Sequence, residues 1–238
     1  MYILALDTAT RDGSVAHVDE NRVIDERRGD AARSHAERLP GELVALAEAH
    51  GVSVRAIDLF AVAAGPGSFT GLRIGIATIQ GLALATGKPV VAVSALEALA
   101  QSAGRAPGAV IAAWMDARRH EVFAALYRVV DAPAFSPERL VEIEGAIAAD
   151  PAATLARWGS HLRDASVTFV GDGAALYADA IADHYVLREP PLLAGVIGQM
   201  ALARAQRGDT IDPAAVHPLY VRRPDVEVER EKQVRRTL

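Results

Sequence analysis

The chain has 238 residues, 51% apolar and 23% charged, with a net charge of −5. That balance belongs to a folded globular protein, excludes a disordered one, and supplies no global pull towards nucleic acid. There is no cysteine, which removes disulfides, thiolate metal sites and cysteine nucleophiles together and fits a reducing compartment. The length suits one large domain or two small lobes, each with its own core.

The chain opens on Tyr2 to Leu6, a short apolar run that reads as a buried strand ending in Asp7. The start lacks a basic region and meets a carboxylate within seven residues, so no signal peptide is expected and the location is read as cytoplasmic. A turn through Asp12-Gly13, a strand over Ser14–Val18, a turn at Glu20-Asn21 and a strand over Val23–Arg27 complete a meander. Ser34-His35-Ala36-Glu37 has capping-box spacing and starts a helix to about His50, closed by Gly51. Leu39, Leu43, Leu46 and His50 share one of its faces, and Pro40 should kink it near its start.

Ile57 to Ala64 is the next strand, and Gly65-Pro66-Gly67-Ser68-Phe69-Thr70-Gly71 turns it into a second helix. In that helix Leu72, Ile74, Ile76, Ile79, Leu82 and Leu84 fall all round the axis, and Gly71, Gly75, Ala77, Gly81 and Ala85 let another backbone come close. It is either a central helix inside one domain, or a helix with one side on its own sheet and the other on a partner chain. Arg73 and Gln80 interrupt it, and Leu72–Ala85 is too short to span a bilayer, so no membrane span is expected. Gly87-Lys88-Pro89 ends it. A strand follows to Val93, then a helix from Ala95 to about Ser102, capped by Ser94 with Glu97 completing a second box.

Ala103 to Gly108 reads as a lobe boundary, dividing residues 1–104 from 105–224. The pattern then restarts: Val110 to Met115 is apolar and ends in Asp116, a polar turn follows through Arg118-Arg119-His120, and a strand spans Glu121–Val130. Asp131 to Glu144 reads as irregular, Ala152–Trp158 as helix and Val167–Val170 as strand. Gly171-Asp172-Gly173 then opens a helix over Ala174–Ala182, and a last helix spans Val196–Arg207. Residues 225–238 mix charges of both signs and read as a charged tail.

The turn from Gly65 to Gly71 has two readings. It could aim backbone N–H groups at an anion at the positive end of a helix, or it could be a glycine-rich turn capped by Ser68 or Thr70. It lacks the Lys-Ser/Thr pair of a P-loop, the third glycine of a dinucleotide fingerprint and the glycine two before the serine of a nucleophile elbow. Two similar lobes, each with an Asp closing its first strand and a glycine turn on the same edge, suggest an α/β fold with a nucleotide cleft between lobes. The candidate nucleotide-binding residues are Asp7, Gly67, Ser68, Asp116, Gly171, Asp172 and Gly173, with Arg11 and Arg118 nearest to serving phosphates. The seven histidines include no i, i+4 pair and point to no metal hydrolase.

Taken together, the segments Ile3–Thr10, Gly65–Gly75, Asp116–Phe123, Gly171–Gly173 and Pro218–Arg222 resemble the TsaB (YeaZ) family, bacterial subunits for threonylcarbamoyladenosine formation on tRNA. The resemblance implies two ribonuclease-H-like lobes of the actin, sugar-kinase and chaperone-ATPase (ASKHA) type. It implies pairing with a TsaD-like catalytic paralogue, which transfers the threonylcarbamoyl group, joined by a TsaE-like ATPase, with a homodimer when the chain is alone and tRNA met only indirectly. It puts the pairing surface on first-lobe helices, with Leu39, Leu43, Leu46, Leu72, Gly75, Ile76 and Ile79 as candidates. Where TsaD carries an Asn-His-x-x-x-His run for its catalytic metal, this chain has Ala95 and Leu99. The resemblance therefore implies a partner-binding chain with no catalytic or metal residues and no cofactor of its own, ATP or ADP with Mg being shared within the complex. The alternative is a stand-alone ATP-dependent kinase or hydrolase using Asp7 and Asp116.

Overall fold

The computed structural model describes residues 1–20, 22–30, 32–163, 166–182, 185–188 and 192–222. The charged tail expected at 225–238 lies outside the described residues, as does His184. Two five-stranded sheets are present. The first is built from β1 (Ile3–Asp7), β2 (Ser14–Val18), β3 (Val23–Arg28), β4 (Leu59–Gly65) and β5 (Val90–Ser94), in the order β3-β2-β1-β4-β5. The second uses β6 (Val110–Asp116), β7 (Val122–Val129), β8 (Leu140–Ala149), β9 (Val167–Val170) and β10 (Val186–Arg188), in the order β10-β9-β6-β7-β8. Reading the second sheet from its other edge gives the same order. In each, the first strand is central, pairs antiparallel with the second and parallel with the fourth. The repeat suspected from Asp7 and Asp116 is thus a repeat of topology.

The central strands are apolar without interruption because both faces are covered. Ile3 and Ala5 of β1 face a core between the lobes, while Leu4 and Leu6 face the core under helices α1 (His35–Glu48) and α2 (Phe69–Thr86). Ile111, Ala113 and Met115 of β6 join the interlobe core, and Val110, Ala112 and Trp114 turn to the far side. Two helices fill the interlobe layer: α3 (Ala95–Ser102) and α6 (Ala194–Ala205). The outer layer of the second lobe carries α4 (Pro151–Leu162) and the short α5 (Asp172–Leu176).

Local signals start most of these helices. The Glu37 carboxylate accepts from Ser34 N–H at 2.9 Å and Ser34 Oγ–H at 2.5 Å, closing the expected box on α1. Ser68 Oγ accepts from Gly71 N–H at 3.2 Å and Ser94 Oγ from Glu97 N–H at 3.3 Å. Gly87 ends α2 at φ 68°, the left-handed turn that suits glycine.

Several expectations change. The stretch to Glu144 is not irregular throughout: β8 begins at Leu140 and runs as an edge strand. Glu142 and Glu144 facing a half-solvated edge, and two breaks in register against β7, hide its alternation. The helix expected over Ala174–Ala182 stops at Leu176. The last helix begins at Ala194, where Ser14 Oγ accepts from Ala194 N–H at 3.0 Å and Glu26 Oε1 from Gly195 N–H at 2.8 Å. Those caps come from strands far away in sequence, so no local pattern announces them.

The sheets respect a division at residue 105, but the packing does not. Helix α6 lies on β1 and β2 of the first sheet. Beyond it, Ile211 bridges to Val90, Val216 enters the core beneath α1 and α2, and Gln80 Nε2 donates to the carbonyls of Pro213 (2.8 Å) and Val216 (3.2 Å). The segment from Ile211 to Val216 therefore packs with the first lobe.

Helix α2 has 18 residues, more than the Leu72–Ala85 segment, and is long and apolar enough by length and composition to cross a membrane. One face is committed to the sheet. Leu72, Ile76 and Ile79 are at most 4% exposed, Gly75 is buried, and on α1 Leu39, Leu43 and Leu46 are fully covered. The seven residues expected at a partner interface thus serve this chain's own core. Seen from outside, α2 presents Phe69, Arg73, Ala77, Gly81, Leu84 and Ala85.

Candidate functional site

Because β1 runs parallel to β4, and β6 to β9, the turns after each pair lie at one end of their sheet, and residues from all four line the gap between the lobes. Two adjoining cavities occupy it, of about 500 and about 540 Å³, sharing Arg11, Met115, Asp116, Arg118 and Asp172 in their walls. Of the residues nominated from the sequence, Gly67, Ser68, Asp116, Gly171 and Asp172 line this space. Asp7 and Gly173 do not.

Asp7 is buried and spends its carboxylate on its own turn. Oδ1 accepts from Ala9 N–H at 2.8 Å, and Oδ2 from the Thr10 hydroxyl. Burial pushes its pKa up, against those hydrogen bonds. It shapes the β1–β2 turn. Gly173 presses on the Met115–Asp116 backbone, where an added Cβ would lie 2.7 Å from the Met115 carbonyl carbon.

The glycines after β4 have the same explanation. A Cβ on Gly67 would lie 2.6 Å from Ala9, one on Gly71 2.4 Å from the Thr8 carbonyl, and one on Gly75 2.1 Å from Thr8 Oγ1. The spacing of four sets Gly71 and Gly75 along one side of the first turns of α2, with Gly67 just ahead of its cap, so the helix and its entry turn can lie against Thr8 and Ala9. The Ser68 N–H donates to the Ala9 carbonyl at 3.1 Å. The capped-turn reading of this segment is therefore the one that the geometry carries, and the N–H groups of Ser68 and Gly71 already have acceptors.

On the second lobe, Asp116 accepts from Arg118 N–H at 2.8 Å, pairs with the Arg118 guanidinium at 3.1 Å, and donates its own N–H to Asp172 Oδ1 at 3.0 Å. The turn between β6 and β7 holds Arg118, Arg119 and His120 at φ of 60°, 57° and 60°. Each such non-glycine residue costs on the order of 1–2 kcal/mol, and the turn is closed by Ala117 N–H to the Glu121 carbonyl and Glu121 N–H to that of Arg118, both 3.0 Å. It sets two arginines at the cleft mouth. Arg11 stands in both cavity walls and makes no ion pair with any described residue.

Sequence reasoning missed the rim contributed by Tyr220 and Arg222. Tyr220 stacks on Phe69 with ring centroids 5.3 Å apart, and Arg73 lies 3.9 Å over the Phe69 ring while its Nε donates to Tyr220 Oη at 2.8 Å. Arg222 donates to the Ala117 carbonyl at 3.0 Å and pairs with Glu121. The resemblance had marked Pro218–Arg222, but nothing in spacing could bring residues 147 apart together. Chemically, the cleft offers guanidinium groups beside three carboxylates (Asp12, Asp116 and Asp172) and aromatic edges. Ser68 Oγ is engaged as a helix cap, and among the described residues no histidine lines the cleft and no three His, Asp, Glu or Cys side chains gather to hold a metal ion.

Residues 26–215 match the family model described as "TsaD: tRNA N6-adenosine threonylcarbamoyltransferase". The protein named tRNA threonylcarbamoyladenosine biosynthesis protein TsaB in Escherichia coli is 41% identical over 129 residues, 54% of this chain and 55% of that protein. The Bacillus subtilis protein of the same name is 32% identical over 185 residues, 77% of this chain and 76% of that one. An uncharacterised Mycobacterium tuberculosis protein is 34% identical over 232 residues, covering 94% and 93% of the two chains. The chain spans little more than half the length of the E. coli relative and of a Mycobacterium leprae one. Among solved structures, YeaZ from Pseudomonas aeruginosa superposes with a TM-score of 0.76 at 32% identity, covering 92% of this chain and 99% of that one. The ethanolamine utilization protein EutJ of Carboxydothermus hydrogenoformans, at TM-score 0.51 and 10% identity, shares the fold alone.

Proposed function

Since the chain belongs to the TsaB (YeaZ) family and has the two-lobed ASKHA fold, we propose that it works in threonylcarbamoyladenosine biosynthesis as a partner-binding, non-catalytic subunit beside a TsaD-like enzyme and a TsaE-like ATPase. One observation carries the non-catalytic part. Ala95 and Leu99, which the resemblance sets at the positions of the metal-binding histidine pair of TsaD, are 0% and 1% exposed and are packed into the interlobe core. Leu99 also forms part of the cleft wall. An enzyme using this scaffold would aim two ligands from α3 at that place; here an apolar helix seals it.

A stand-alone kinase would need Asp7 and Asp116 turned to a phosphate. Asp7 is enclosed in its own turn, and Asp116 is held by Arg118. ATP or ADP with Mg therefore enters as something shared in the complex, with Gly67, Ser68, Gly171 and Asp172 as the cleft residues able to adjoin it. The other outward elements of the proposal are cytoplasmic location, a homodimer in the absence of the paralogue, and tRNA reached through the partner.

The test is reconstitution. The purified chain should transfer no threonylcarbamoyl group to tRNA by itself, and adding it to a TsaD-like protein and a TsaE-like ATPase should raise transfer. Transfer by the chain alone would overturn the proposal, and so would a complex equally active without it.

A further inference from the structure

Residues Leu219 to Arg222 connect the two lobes. Leu219 N–H donates to the Ala64 carbonyl at 2.7 Å, and the Leu219 carbonyl passes so near Gly65 that a Cβ there would lie 2.8 Å from it. Gly65 has φ 119°, a conformation that L side chains rarely adopt, so that close approach depends on glycine. Tyr220 then stacks on Phe69 and holds Arg73. Two residues on, Arg222 reaches the other lobe, bonding the Ala117 carbonyl and Glu121 and lying 5.6 Å over the Phe123 ring. Leu219 to Arg222 also form one wall of the 500 Å³ cavity.

We propose that Leu219–Arg222 is a strap across the cleft mouth, and that an anionic ligand opens the cleft by taking Arg222 from Glu121. The two anchors differ in kind. On the first lobe the strap is held by a main-chain hydrogen bond and a stacked ring. On the second, the strap's hydrogen bonds among the described residues all come from the Arg222 side chain, 25% exposed, to the Ala117 carbonyl and to a Glu121 carboxylate that is 36% exposed. Water and salt screen such a pair, so the Arg222 end is the one that releases. The cavity behind it holds Arg11, which has no ion pair among the described residues, and Arg118. An anionic group entering there meets Arg11, competes with Asp116 for Arg118, and competes with Glu121 for the guanidinium of Arg222. Binding and opening are then coupled, because the ligand has a higher affinity for the released state. The strap is a property of the chain itself and does not depend on its being a non-catalytic subunit.

The native chain has no cysteine, so spin labels go only where they are placed. Labels on Thr70→Cys and His120→Cys report the distance across the mouth by pulsed electron resonance. In the full-length labelled chain, Arg222→Ala and Glu121→Gln should each add a longer-distance population absent from the parent. Inorganic pyrophosphate at millimolar concentration should shift the parent towards the same population. A distribution unchanged in both variants overturns the strap. A distribution that moves in the variants but ignores pyrophosphate overturns the anionic trigger. Because Glu121→Gln keeps Arg222 and its aromatic contact, it separates loss of the pair from loss of folding around Arg222.

Discussion

Gly75 lies against Thr8 so closely that a methyl group on it would sit 2.1 Å from Thr8 Oγ1. That contact seats the N-terminal half of α2 on the turn after β1, and it puts two structural demands on one glycine-rich stretch: a sharp exit from β4 and a flat helix side.

Gly75→Ala should therefore destabilise the fold by about 1–3 kcal/mol, the usual cost of overpacking a filled site, although alanine is the better helix former. Thr8 Oγ1 has no hydrogen-bond partner, so Thr8→Ala in the Gly75→Ala background should restore part of the loss. Denaturant midpoints of the four proteins in the cycle decide it. Independent, additive effects would show that the two residues are not in contact.

Subunit pairing should respond to the outward side of α2, not to the residues that its sequence singles out. Leu84 is 61% exposed and lies beside Ala77, Gly81 and Ala85, while Ile79 is fully covered. Leu84→Glu should leave the thermal midpoint nearly unchanged and weaken association at least tenfold in sedimentation experiments. Ile79→Glu should unfold the chain, by burying an unpaired charge. Undiminished pairing in Leu84→Glu would move the interface elsewhere.

His17 is fully covered, and neither ring nitrogen has a hydrogen-bond partner. Burial pushes its pKa below 6.5, with the neighbouring His50 adding to this and Asp19 and Asp25 opposing. The unfolded chain then binds the proton first. The stability from a neutral His17 is complete above pH 6.5 and is lost as the pH falls through 6.5 towards the folded value. His17→Phe should add about 1 kcal/mol at neutral pH by removing unsatisfied polar atoms. It should also flatten the stability profile below pH 6.5, leaving the contribution of His35, whose pKa is also lowered by burial and by Arg38. A variant with the parent's slope would exclude His17 as its source.

Two carboxyls work in the opposite direction. Burial raises the pKa of Asp7 and of Glu26, which caps α6. A raised folded value means that the folded state takes the proton first. Their contribution is present below the ordinary carboxylate values of 3.8 and 4.5 and is lost as the pH rises through the folded ones. Carbon-13 titration of the two carboxyls should place both midpoints above those ordinary values; a midpoint at or below them for either residue contradicts its assignment.

The sequence by itself determined the local elements and their order. Continuous apolar runs identified β1, β4 and β6, capping boxes identified the starts of α1 and α3, and the paired Asp7 and Asp116 disclosed the duplicated lobe. These are short-range signals, written within a few residues by periodicity and by unpaired backbone groups at helix ends. Five of the seven cleft candidates were also legible, because the loops after parallel strands must share an edge. What only the tertiary structure decided is which surface each residue faces. Leu39, Leu72 and Ile79 read equally well as core or as interface, since an apolar stripe does not say what covers it. The caps on α6 come from Ser14 and Glu26, the rim of the cleft from Phe69 meeting Tyr220, and the strap from Arg222 meeting Glu121. Each joins segments about 100 residues apart or more, and no local pattern encodes such a meeting. The glycine turn shows the same division: its sharp bend was written in the sequence, but only the closeness of Thr8 and Ala9 shows that its glycines make room for a backbone.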